Sequence, residues 1–206
     1  MTRSELMQDL AYVRTLAEEG RSAPLLGGAH FVAWGLLVAA AWAGHYWVIS
    51  NYTQAELGMP LGILWGGFGV LAGVMSVILQ RRMRGKPGLS SGGNRAERAI
   101  WEGISLAMFA IALGAILRMA VFKDFDAPNT ILPAAVALYG AGMIATARFS
   151  KEKVLQVSGV AAVVFGLALQ VIANEPYVYL LGSAGALVVL VIPGIILLRR
   201  EPSAVV

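Results

Sequence analysis

Cysteine is absent from this 206-residue chain, and histidine occurs only twice, at His30 and His45. The first absence excludes disulfides, thiolate metal centres and thiol nucleophiles. Charge is also scarce. Asp, Glu, Lys and Arg make up 14% of the residues, where a soluble domain carries about a quarter. Hydrophobic residues make up 58%, and the mean hydropathy is +0.70. Those values exclude an ordinary soluble domain and point to an all-α, polytopic membrane protein.

Spanning the hydrocarbon core takes about 20 apolar residues as a helix. Six segments qualify: 25–49, 59–79, 100–122, 130–149, 154–173 and 177–198. Pro24, Pro60, Pro128 and Pro176 stand beside the starts of four of them, where a missing N–H has no intrahelical partner to lose. Pro193 lies inside the sixth, so a kink is expected there. The layout reads as three tandem helical hairpins over 24–199, followed by a cytoplasmic tail over 200–206.

The net charge of +4 would suit nucleic acid in a soluble protein. Here the basic residues follow the connections instead, so no nucleic-acid partner is expected. Fourteen of the sixteen Lys and Arg residues fall in the N-terminal tail, the second and fourth connections and the C-terminal tail. Only Arg118 and Lys123 fall on the other side. Positive residues stay cytoplasmic, so both termini are expected inside. The outer connections are short. The longest connection, QRRMRGKPGLSSGGNRAER, is rich in Gly and Ser, and its middle is expected to be mobile. GKPGLSSGG within it lacks the order of a phosphate-binding loop.

The first 20 residues have no apolar signal core, so the first span is expected to remain as an anchor. Thr2 followed by Glu5 fits a capping box. Leu6, Leu10, Val13 and Ala17 recur at helical spacing. Residues 1–22 therefore read as a short cytoplasmic amphipathic helix, lying on the membrane or docking a partner.

In the second span Gly58, Gly62, Gly66, Gly69 and Gly73 recur at spacings of three and four, which puts them on one helix face. Small residues let helices approach closely in lipid. That helix is expected to be central in the bundle or to form a contact between copies.

Ionisable groups buried in a membrane usually mark function, and the central turns of all six segments have none. Tyr139 is the most polar side chain at mid-depth. Such a core lacks the carboxylates of proton-coupled carriers and of acid–base catalysis. Polar residues gather instead in the outer third: Arg118, Gln170, Asn174 and His45. Arg118 shares a face with Gly103, Ala107, Ala110 and Gly114, so that face is expected to point inward. An inward arginine ringed by amides would hold an anionic headgroup or a small anion. The alternative is an arginine that snorkels to the surface and pairs with Asp124, Asp126 or Glu175.

His30 and His45 lie fifteen residues apart in HFVAWGLLVAAAWAGH, about 22 Å along the axis and about 60° around it. One metal ion cannot bind both. Two haems at two depths would each need a second ligand, from Met59, Met75 or Met119 or from another copy. Otherwise the histidines mark the ends of the span, with Trp34, Trp42, Tyr46 and Trp47 as interfacial rings. No cofactor is expected.

An amphipathic helix followed by RSAPLLGGAHFVAWG, with its P-x-x-G-G…W-G run into the first span, resembles a class of small six-span bacterial inner-membrane proteins with no assigned activity. The resemblance covers about the first forty residues and the layout. It implies a bacterial cytoplasmic membrane and carries over no catalytic residue. The resulting expectation is a non-enzymatic protein acting by association in the bilayer, with a copy of itself or another membrane protein. Two alternatives stand beside it: a small transporter or channel for an anionic, neutral or lipid-like solute, and a haem-binding redox protein.

Overall fold

The computed structural model describes residues 7–8, 25–84, 86 and 88–201. The amphipathic helix expected over 1–22 lies outside the described residues apart from Met7 and Gln8, as does the tail beyond Glu201. All regular structure among the described residues is helical. Six helices are long and apolar enough to cross a membrane. They are α1 (Gly28–Asn51), α2 (Gly58–Met83), α3 (Gly92–Phe122), α4 (Ile131–Ser150), α5 (Lys153–Val171) and α6 (Val178–Leu198). A 3₁₀ turn, Ala127–Thr130, leads into α4.

The second connection is shorter than its composition suggests. α2 continues to Met83 through Arg81 and Arg82, whose charges suit a helix C-terminus. α3 begins at Gly92 because the Ser91 hydroxyl accepts from the Asn94 N–H at 3.3 Å, an N-cap. Between the two helices remain residues 84–91.

The irregularity expected at Pro193 takes the form of a π-helical turn, Leu187–Val191, within α6. The N–H of Ile192 reaches the carbonyl of Leu187, five residues back. Pro193 has no N–H to offer Val189, and its ring crowds that carbonyl. A wider turn just before it relieves both.

The tightest helix contacts lie outside the tandem hairpins. The two closest pairings are α4 with α5 and α1 with α6. α2 packs on α1, and α3 packs on α4. α2 and α3, neighbours in the chain, barely touch, so the helices form an open arc with these two at its ends. Small residues explain the close pairs. A Cβ on Gly140 would lie 2.6 Å from the carbonyl oxygen of Gly159, and one on Gly159 would lie 2.8 Å from that of Gly140. α1 and α6 meet through Gly28, Gly35 and Gly194. With no hydrophobic effect between helices in lipid, such backbone proximity supplies the packing. Leu132, Met143, Leu155, Leu169 and Val178 are fully buried between α4, α5 and α6.

The glycine stripe of α2 does not contribute to this packing. Gly58, Gly62, Gly66, Gly69 and Gly73 are exposed, and a Cβ on any of them would meet nothing within 4 Å. α2 is therefore peripheral, not central. The small-residue face of α3 likewise points outward, since Gly103 and Gly114 also face open space. The bulkier Trp101 and Ile104 face α4 instead and fill the space beside Gly142. Only 6% of the apolar stretch of α2 and of α3 is buried, against 28–44% for the other four helices.

Candidate functional site

The start of α1 and the end of α6 lie at the same end of the bundle, since Gly28 packs on Leu198. This is the near end of the bundle, and the opposite one is its far end.

Of the four polar residues singled out at the far end, three come together. Arg118 in the last turns of α3, Gln170 in α5 and Asn174 after it line one open depression of about 310 Å³. Asp124, Asp126, Thr130 and Glu175 complete its polar wall. Of the two readings of Arg118, the surface arginine paired with an acidic neighbour is the one observed. Its side chain is 67% exposed, and its Nε donates to the Asp124 carboxylate at 2.7 Å. The lining therefore carries one guanidinium and three carboxylates.

His45 belongs to a different group. Its Nδ1 accepts from the indole N–H of Trp65 in α2 at 3.1 Å. Its ring stacks on Tyr179 with centroids 4.1 Å apart, and Trp42 stacks on the other part of this cluster, 5.5 Å from Tyr179. The Tyr179 hydroxyl donates to Asn129 Oδ1 at 2.7 Å, and Asn129 Nδ2 donates to Asn174 Oδ1 at 3.1 Å. Hydrogen bonds at either side of the His45–Tyr179 ring stack thus connect α2 through α1 and α6 to the edge of the depression.

This geometry bears on haem. A neutral imidazole has one protonated and one bare nitrogen. With Nδ1 accepting from Trp65, Nε2 carries the proton and has no lone pair for iron. Axial ligation at His45 would cost the Trp65 bond, so the donor arrangement does not fit it. His30 sits at the near end of the same helix. Among the described residues no group of three His, Asp or Glu side chains is placed to hold a metal ion.

The near end holds a buried polar cluster that sequence reasoning missed. Asn94 Oδ1 accepts from the Leu26 N–H at 3.0 Å, and its Nδ2 donates to the Gly88 carbonyl and the Ser91 hydroxyl. Glu97, one turn on, is buried with its carboxylate where a Cβ on Gly27 would lie. Lys86 donates to Glu201 at 2.6 Å, and the Glu201 side chain is only 5% exposed. Arg200 pairs with Glu152 at 2.8 Å. The 84–91 connection, the start of α3, the run into α1 and the end of α6 are thereby tied together. The available signal was the Gly27–Gly28 pair, which marks close approach. The charges in NRAER read instead as a solvated loop.

No family model, curated protein or solved structure matches this chain.

The near-end cluster is a structural tie. The far-end depression is an open polar recess, and α2 and α3 present bare lateral faces with small residues along them.

Proposed function

We propose that the protein is a non-enzymatic, multi-pass membrane protein that acts by association within the bilayer. A helix of another membrane protein, or of a second copy, would lie against α2. One observation carries this reading: Gly58, Gly62, Gly66, Gly69 and Gly73 leave a face of small residues along the first four turns of α2 that no described residue covers. Small-xxx-small faces are the usual means of close helix contact in lipid. The charge bias of the connections supports a bacterial cytoplasmic membrane with both termini inside.

The absence of native cysteine makes the test direct. Single cysteines replacing Gly62 or Gly69, oxidised in intact membranes, are expected to give a cross-linked dimer or a cross-link to a co-purifying protein. Cysteines at Val157 or Leu167, exposed on α5, serve as controls. Equal or no cross-linking at all four positions removes the proposal.

A second reading, a small transporter or channel, is favoured by the far-end depression and the π turn of α6. Its solute would be neutral or lipid-like, because three carboxylates beside one guanidinium oppose a simple anion.

A further inference from the structure

The far-end depression has a charge pattern that neither an anion nor a plain cation fits. Arg118 uses its Nε on Asp124. A guanidinium has five N–H donors in a planar fork, so its terminal amino groups remain available. Asp126 and Glu175 line the same recess and form no ion pair with any described residue. Thr130, Gln170 and Asn174 add neutral polar groups between these charges. The wall thus presents free donors of one sign and free acceptors of the other, within one recess of about 310 Å³. That volume is at the small end of ligand sites and suits a headgroup rather than a whole lipid.

The surroundings indicate what the headgroup is attached to. Val171 lines the recess, Val121 and Phe122 end the helix that carries Arg118, and Phe125 stands between Asp124 and Asp126; all four are exposed and apolar. Exposed rings and branched chains at that depth meet glycerol and acyl carbons, not water.

We infer that this recess binds the headgroup of an aminophospholipid such as phosphatidylethanolamine. The phosphate takes the terminal amino groups of Arg118, and the primary ammonium donates to Asp126 and Glu175. Charge-assisted hydrogen bonds of both signs are the strong ones at such a surface. A choline headgroup has the same charges but no N–H to donate, and a glycerol headgroup has no cation. Recognition therefore discriminates among three lipids of equal tail. The inference is independent of whether α2 takes a partner.

The experiment presents purified, delipidated protein with an equimolar mixture of phosphatidylethanolamine, phosphatidylcholine and phosphatidylglycerol with identical acyl chains. Retained lipid is read by native mass spectrometry. Phosphatidylethanolamine is expected to be retained about tenfold over phosphatidylcholine, a difference of about 1.4 kcal/mol. Asp126→Asn with Glu175→Gln should abolish that preference while leaving some phospholipid bound, and Arg118→Gln should reduce binding of all three. All three side chains are exposed, so the variants keep the packed pairs α4·α5 and α1·α6 intact. Equal retention of ethanolamine and choline lipids would mean annular lipid only and overturns the inference. A preference for phosphatidylglycerol overturns it in favour of an anion site at Arg118. So does an ethanolamine preference that survives the double substitution.

Discussion

The carboxylate of Glu97 occupies the space that a side chain on Gly27 would need. Its neighbour Gly28 faces backbone instead, with a Cβ there lying 2.5 Å from the amide nitrogen of Leu198. The two glycines are adjacent in sequence but differ in what they exclude.

Gly27→Ala should therefore be the milder change, because a glutamate side chain can swing away. Gly28→Ala must push α6 from α1 and should cost about 1–3 kcal/mol, as overpacking does. Adding Glu97→Ala should rescue Gly27→Ala and leave Gly28→Ala unrescued. Thermal unfolding of the four variants in one detergent checks this.

Glycines that look alike in sequence should separate in the same assay. Gly140→Ala and Gly159→Ala each drive a methyl group into the opposing backbone and should lower stability by about 1–3 kcal/mol. Gly66→Ile faces open space and should leave the unfolding temperature of the isolated chain unchanged. If association is the function, that same change should weaken cross-linking at Gly62 and Gly69.

The Trp65–His45 bond ties α2 to α1, the helix on which it chiefly packs among the described residues. Trp65→Phe keeps an aromatic ring and removes the donor. The loss should be about 0.6 kcal/mol, the usual size for hydrogen bonds between membrane helices. A sharper readout is the imidazole itself. Nitrogen NMR should show His45 protonated at Nε2 in the parent and a mixture of tautomers in the variant. An unchanged spectrum would mean that Trp65 does not fix the tautomer.

Lys86 and Glu201 are unequal partners. The Glu201 side chain is 5% exposed and that of Lys86 is 36% exposed, so Lys86→Ala leaves a carboxylate buried without its cation. Breaking a buried pair from one side costs about 3–5 kcal/mol; because Lys86 is partly solvated, the lower part of that range is expected. Glu201→Gln removes the buried charge itself and should cost less. Limited proteolysis in the 84–91 connection would report the difference, with Lys86→Ala cut faster than Glu201→Gln.

The six membrane-crossing segments were legible because twenty apolar residues in a row can do little else. The gathering of Arg118, Gln170 and Asn174 was legible too, since depth follows from position along spans of known length. Which face of a helix meets a neighbour was not. Lipid is as apolar as leucine, so the period that separates core from solvent in a soluble helix carries no such information here. Gly58 through Gly73 and the set Gly140, Gly159 and Gly166 have the same composition, yet only the second set touches another helix. The small-residue face of α3 was expected to point inward, whereas Trp101 and Ile104 determine which side of that helix packs. The ties at Asn94, Glu97 and Glu201 reach across the chain to Leu26, Gly27 and Lys86, and no local pattern announces a contact of that span.

The close pairing of α1 with α6 sets a timetable for making the protein. α1 leaves the ribosome long before the helix it packs against. At about 5–20 residues per second, the stretch from Gly28 to Val178 takes roughly 8–30 s to synthesise. Throughout that interval Gly28 and Gly35 lie open in the bilayer, available to any passing helix with a small-residue face. Assembly of this bundle is therefore a post-insertion event, and its most exposed moment comes before α6 has been made.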